Sequence, residues 1–285
     1  IDGMAVEQPY YSSMPDIPTR GRFSPFMFSG TLFSSGGYSA EYGQALSSVL
    51  ELQTPGIFDE DVTSLSLMNV GLGATFTRKN VRSAYSAEAF YANTYPYFAL
   101  ASHDLNWTKI PQSLNGKFYH RHKIGKTGLI KTDVMLNYGA SELDYSNLDI
   151  GYKLVGLRND NEFIKSTYNT EINDKWLLKT GIAYNRNLDI TKLDTDKIRE
   201  NLSSAHIKLS LINYTNDNIT LKTGTDANYL DYRFRFMRNS DDLDVIMNVD
   251  DWILAAYAEG DFRLHKKWAL RAGVRTEYST YNNKT

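Results

Sequence analysis

The 285-residue chain has no cysteine, which excludes disulfides, thiolate zinc sites and thiol nucleophiles together. It has no basic excess: 31 lysines and arginines stand against 33 aspartates and glutamates. That balance argues against a nucleic-acid partner, which is held by a surplus of positive charge. No run of about 18 apolar residues occurs, so no transmembrane helix is encoded. The mean hydropathy of −0.43 does not exclude a membrane β-barrel, whose strands alternate and average out as polar. Catalytic signatures are missing as well: there is no G-x-S-x-G, no H-E-x-x-H and no phosphate-cradling glycine loop. What the chain has in quantity is tyrosine, 20 in all, a side chain suited to a bilayer surface because one end is apolar and the other wet.

Proline is scarce, and five of the seven (Pro9, Pro15, Pro18, Pro25, Pro55) fall in residues 1–58. The same stretch holds a small-residue cluster, Ser34-Ser35-Gly36-Gly37-Tyr38-Ser39-Ala40, so turns punctuate it. A short strand is expected at 48–53. Pro55-Gly56 and the acidic connector Asp59-Glu60-Asp61 then set a boundary between a domain of residues 1–58 and one of residues 59–285.

From Ser64 onward the pattern is period-two alternation. Ile130, Thr132, Val134, Leu136 and Tyr138 oppose Lys131, Asp133, Met135 and Asn137. Trp176 to Tyr184 opposes Lys175, Lys179, Gly181 and Asn185. Ala205, Ile207, Leu209 and Leu211 oppose His206, Lys208 and Ser210. Trp268 to Tyr278 opposes Arg271, Gly273, Arg275 and Glu277. About ten strands are expected, at 65–78, 82–95, 113–124, 128–139, 161–172, 175–188, 203–214, 219–236, 251–264 and 268–281. About ten tilted residues is the length that crosses a bilayer core. Short polar turns near Lys79, Lys126, Asp174, Asp217 and Lys266 alternate with long polar stretches at 96–112, 140–160, 189–202 and 237–250. Tight turns on one rim and long loops on the other are the layout of an outer-membrane barrel. A soluble all-β sandwich or propeller shares the alternation.

The ends of the chain add a resemblance. Ile1-Asp2-Gly3-Met4 resembles the (V/I)DG strand-turn late in the plug domain of TonB-dependent outer-membrane receptors. Phe33 to Gly43, with Ser39-Ala40-Glu41-Tyr42-Gly43, looks like that plug's closing segment, and 46–54 like its last strand, ending in Thr54. Ala255-Ala256-Tyr257-Ala258-Glu259 and Leu270-Arg271-Ala272-Gly273-Val274-Arg275-Thr276-Glu277 are similar to the family's A-A-Y-A-E and L-R-A-G-(L/V)-R-x-E strand pair, in the style of Bacteroidota. Ala45-Leu46-Ser47-Ser48 departs from the plug's usual G-G-(V/I)-I.

The resemblance implies an all-β fold: a transmembrane antiparallel β-barrel, here about ten strands of a 22-stranded whole, with the C-terminal part of a plug domain. The chain is then an internal fragment. Residues 1–58 close the plug and residues 59–285 begin the barrel. The implied function is TonB-dependent import of a scarce or bulky ligand (metal chelate, glycan or peptide) across the bacterial outer membrane. Its partners are TonB, reached through a segment missing from this chain, outer-membrane lipid, the ligand and a surface lipoprotein. No nucleic acid, cofactor, resident metal or catalytic residue is implied. The alternatives are a soluble β-rich binding or adhesion module and an outer-membrane barrel enzyme.

The plug-motif residues are Gly36, Gly37, Glu41, Tyr42 and Gly43. Arg20, Arg22 and Glu41 are expected to pair with lumen charges. Ligand contacts are expected in the long loops, at Tyr97, His103, Trp107, Arg158, Arg233, Arg235 and Arg238, because rings suit flat or sugar-like ligands and arginines suit anionic chelates. His120 and His122 share a face but lack the further ligands of a metal site.

Overall fold

A computed structural model describes residues 1–14, 21–23, 27–45, 47–100, 105–145 and 153–282. The amino-terminal segment carries one small antiparallel pair, β1 (Gly30–Ser34) and β2 (Val49–Gln53), in the register Phe33↔Leu50.

All other strands form one sheet of eleven: β3 (Val62–Met68), β4 (Gly71–Lys79), β5 (Ser83–Asn93), β6 (Asn106–Ile124), β7 (Gly128–Asp144), β8 (Leu154–Asn173), β9 (Trp176–Leu193), β10 (Asp196–Asn216), β11 (Ile219–Arg238), β12 (Leu243–His265) and β13 (Trp268–Ser279). Each pairs antiparallel with its neighbours in sequence, so the sheet is a meander with β3 and β13 at its edges.

The five tight turns lie where polar residues interrupt the alternation. At β6–β7, Gly125 supplies the positive φ of 62° that the turn needs. The other ends differ from expectation. Stretches 140–160, 189–202 and 237–250 read as loops because charged and amide residues interrupt the outward apolar rows there. Strand pairing through backbone hydrogen bonds does not require apolar side chains, and the ladders simply continue. β9 and β10 meet across Asp194-Thr195, with Asp194 at φ 54° and its carboxylate accepting the Leu154 N–H at 2.8 Å. Residues 65–78, expected as one strand, are two, β3 and β4. At Gly71 the backbone passes so close to the Tyr91 carbonyl that a Cβ would collide with it. Only after Asn93 does a helix intervene. In α1 (Tyr95–Leu100) the Asn93 Oδ1 accepts the Tyr95 N–H at 2.9 Å, capping the first turn.

The alternation sorts the two faces in the sense opposite to a water-soluble sheet. Arg121, Asp133, Asn161, Lys165, Asn185, His206, Lys208 and Glu259 are buried, while Ile164, Ile182, Ile207, Leu209, Leu254 and Val274 are exposed. Adjacent residues make the point: Ile207 is 59% exposed and Lys208 is 7% exposed. Among the described residues no second sheet covers the apolar rows. The buried polar face is covered instead by the amino-terminal segment, which touches strands from β6 to β13.

The strands are also longer than a membrane needs. β10 has 21 residues, about 70 Å of extended chain. On the outward face of β9 the apolar run from Trp176 to Tyr184 ends where Arg186 pairs with Glu162 of β8 at 3.0 Å. On β11 and β12 the outward rings of Tyr229 and Trp252 lie 4.9 Å apart. Beyond them come Asp231 and Arg233, paired at 3.1 Å. The polar hairpin ends thus extend past an apolar band edged by aromatic rings, as at a membrane–water boundary.

Candidate functional site: the seam between the amino-terminal segment and the inner wall

Three polar anchors and a main apolar patch hold the segment to the wall. The first anchor grows from the Asp2-Gly3 turn, in which Asp2 has φ 49° and Gly3 has φ 82°. The turn aims the Asp2 carboxylate at Thr54, whose N–H donates at 3.0 Å and whose hydroxyl donates at 2.5 Å. Both ends of the segment are thereby tied together. The wall closes around the knot. Lys165 Nζ lies 2.5 Å from Asp2 and 2.7 Å from Asp133, and Lys131 donates to the Thr54 carbonyl at 2.6 Å. Arg121, fully buried, pairs with Asp133 and reaches back to the Pro55 carbonyl at 2.9 Å and the Thr54 hydroxyl at 3.2 Å. Buried charges of this kind persist only when each is paired and hydrogen-bonded.

The second anchor is the stretch 36–43. Gly37 turns the chain at φ 59°. Ser39 Oγ and the Ala40 N–H then donate to the Glu259 carboxylate at 3.0 and 2.7 Å. Glu41 lies between Lys208 at 3.0 Å and Lys222 at 2.9 Å. The Tyr42 ring faces Lys208 Nζ at 5.2 Å, and its hydroxyl, pushed up by burial, donates to Glu51 at 2.5 Å. Gly43 is a contact position: a Cβ there would collide with the Glu277 carboxylate and come within 2.6 Å of the Arg275 guanidinium. Of the motif residues, Glu41, Tyr42 and Gly43 meet the wall or brace the segment, whereas a Cβ at Gly36 or Gly37 would find open space.

The third anchor carries no ion pair. Asn115, Asn137, Asn161 and Asn187 stand directly opposite one another on β6, β7, β8 and β9, forming a row of amides across the inner wall. Tyr11 donates to Asn115 at 3.0 Å, and Arg22 donates to Asn187 at 2.8 Å and to Asn159. Arg22 therefore meets neutral amides where a charge partner was expected. The nearby Asp189 carboxylate is already held by Asn159 and by Asn187, the latter at 2.7 Å. Arg20 lies outside the described residues.

The apolar patch joins Ile1, Met4 and Met27 of the segment to Tyr119, Met135, Phe163 and Ala183 of the wall. Gly181 permits the approach, since a Cβ there would sit 2.6 Å from Met4 Sδ. The seam is thus sealed by apolar contact along β6 to β9. Toward β10 to β13 it is looser, with a cavity of about 410 Å³ between the segment and His206, Asp226, Asn228 and Arg275.

The carboxylates of the first two anchors carry a pH prediction. Burial raises Asp2, but Lys165 and Lys131 outweigh it and hold the group at about 2. Burial likewise raises Glu41, but Lys208 and Lys222 hold it at about 2. A carboxylate depressed in the docked state adds stability that is complete above its ordinary value, 3.8 for Asp2 and 4.5 for Glu41, and is lost as the pH falls from there through about 2. The urea concentration that detaches the segment, followed by a fluorophore on Ser13→Cys, should fall steeply below pH ~4 as these two carboxylates take up protons.

The residues expected to contact ligand do not converge. Tyr97 lies on α1 against Phe98, 5.5 Å between rings, and Phe98 faces Trp107 at 5.9 Å. Trp107 packs on a second apolar cluster of Met14, Leu143, Tyr145 and Val155, so this aromatic group gathers beside the segment. His103 lies outside the described residues. Arg158, Arg233, Arg235 and Arg238 are each tied to an aspartate, at 2.7, 3.1, 2.7 and 2.9 Å. His120 and His122 stack at 6.1 Å, and among the described residues no group of three or more metal-ligating side chains forms.

No family model matches the sequence, and no curated protein sequence matches it. Among solved structures, one described as the copper transporter OprC superposes with a TM-score of 0.68 at 12% identity, over 91% of this chain and 43% of that one. The chain thus spans less than half the length of that structure. The likeness establishes the fold: a long-stranded antiparallel β wall with an amino-terminal segment packed against it.

Proposed function

We propose that this chain forms part of an energy-coupled importer of the bacterial outer membrane, with residues 1–58 as the rear of a lumen-blocking plug and residues 59–285 as barrel wall. The observation that carries the reading is the sorting of the sheet's faces. Charged and amide side chains are buried against the amino-terminal segment, and aliphatic side chains point away from it. In a bilayer every backbone polar group needs an internal partner, which a closed sheet supplies. The likeness in fold to a copper transporter supports import as the activity.

In this reading, work delivered through TonB draws the segment off the wall. A polar seam suits such work, because water can replace each of its hydrogen bonds as the segment leaves. The looser side, along β10 to β13, is where the path opens. Ligand enters from the long-hairpin end, past Tyr97 and Trp107, with a surface lipoprotein as a partner there. The aromatic cluster suits a flat or sugar-like ligand better than the neutralised arginines suit an anionic one.

The membrane placement is tested by two substitutions. Ile207→Lys puts a charge on the lipid face, at a cost of roughly 2–4 kcal/mol if it lies near the midplane. It should cut recovery in the outer-membrane fraction and abolish heat-modifiable gel migration. Asn169→Lys, on the inward face where the wall leaves room, should insert normally. Equal insertion of the two variants, or recovery of the protein from buffer without detergent, would sink the barrel reading in favour of a soluble β-rich module.

A further inference from the structure

The two rims of the wall treat their charges differently. At the long-hairpin rim, four arginines are neutralised by aspartates, as described above. The tight-turn rim carries Lys79, Arg82, Lys123, Lys126, Lys175, Lys266 and Lys267, all exposed. Among the described residues none of these seven forms an ion pair; Lys79 donates its ammonium to the Asp59 carbonyl at 2.6 Å and its backbone N–H to the Asp61 carboxylate at 2.8 Å, and Lys79, Lys123 and Lys126 line a cavity with Asp59 and Asp61. Within the five tight turns themselves the opposing acids are Asp174 and Asp217. The acidic connector lies at the same end, where Asp61 approaches Arg78 at 3.9 Å.

Exposed apolar side chains on the outward face accompany these cations. Ile124 adjoins Lys123, Ile172 lies three residues before Lys175, and Leu264 and Trp268 bracket Lys266 and Lys267. Trp268 is 72% exposed. A soluble anion would call for the cations alone. Cations set over a collar of tryptophan and aliphatic side chains match a surface with phosphate above and acyl chain below.

We propose that the tight-turn rim is a binding site for anionic phospholipid headgroups, with Lys126, Lys266 and Lys267 contacting phosphate and Trp268 seated at the acyl boundary. The inference rests on the membrane reading above and goes beyond it, because a barrel can sit in lipid without preferring one headgroup. Tight turns face the periplasm in barrels of this kind, so the leaflet concerned is the inner one.

The experiment uses the protein purified in detergent micelles doped with equal amounts of phosphatidylglycerol and phosphatidylcholine. Retained lipid is counted by native mass spectrometry. The expected result is preferential retention of phosphatidylglycerol, falling by about fivefold for each lysine removed near the surface in the series ending with K126Q/K266Q/K267Q. The control K153Q/K192Q/K197Q, at the opposite rim, should keep the preference. Equal retention of the two lipids overturns the proposal, as does a preference untouched in the tight-turn triple variant. Displacement of the lipid by inorganic phosphate at equal concentration would replace the headgroup with a free-phosphate site. These turn substitutions lie outside the packed wall, and heat-modifiable migration verifies folding. Failure of the membrane reading itself would show separately, as a protein that stays dispersed without detergent.

Discussion

On the importer reading, oxidising a protein that carries Ala40→Cys and Gly273→Cys should hold the lumen blocked, and a reductant should free it. Gly273 on β13 faces Ala40 of the segment so closely that a Cβ built on the glycine lies 3.0 Å from the alanine Cβ. Two cysteines there approach the Cβ separation of a disulfide, about 3.8 Å, after a small adjustment. The chain has no other cysteine, so no competing bridge forms. The readout needs no ligand. Urea should induce conductance through the wild-type protein in a planar bilayer by unfolding the segment. It should fail to do so in the cross-linked protein until the bridge is reduced. Full cross-linking with undiminished conductance would mean that the segment does not obstruct the lumen, and the importer reading would lose its gate.

The second large effect is expected at Lys165. Its ammonium is fully buried and lies between Asp2 of the segment and Asp133 of the wall, at 2.5 and 2.7 Å. Lys165→Met keeps the volume and removes the charge, leaving the Asp2 and Asp133 carboxylates buried without their shared partner. Breaking one member out of a buried ionic group typically costs about 3–5 kcal/mol. The segment should therefore detach at a much lower urea concentration and gain hydrogen exchange at 1–5 and 52–55. Lys131→Met is the internal comparison. Lys131 is partly exposed and stands 3.5 Å from Asp2, so its loss should be milder. Equal effects from the two variants would show that the network is held by solvent-screened attraction and not by a dry core.

These residues also show what a sequence can disclose about such a molecule. The inward and outward rows were legible, because period-two alternation gives each residue a face without knowledge of any partner. Tight turns were legible because polar residues interrupt that alternation over a few positions. The hairpin extensions of β9, β10 and β12 were not, since past Tyr184 and ahead of Ser203 and Trp252 charged and amide residues break the outward apolar row while the ladder persists; β11, whose Leu230, Tyr232, Phe234 and Phe236 keep alternating with Asp231, Arg233 and Arg235, was legible almost to its end. Glu41 was legible as a pairing residue, but Lys208 and Lys222 lie more than 160 positions away and their convergence depends on the fold. The role of Asp2 was hidden more deeply. It arises from a turn that joins residues 2 and 54 before either meets Lys165. The asparagine row could not be seen at all, because its members align only once the register of four strands is set.

That row has a consequence of its own. Carboxamides neither gain nor lose a proton across the biological range, and they attract no counterions. While acid or salt loosens the grips at Asp2 and Glu41, the hold of Tyr11 and Arg22 on Asn115 and Asn187 stays constant. Because each carboxamide both donates and accepts, the strip can exchange one partner for the next without leaving a charge stranded. It would offer a segment leaving the wall low-friction footholds of nearly equal strength across the inner face of four strands.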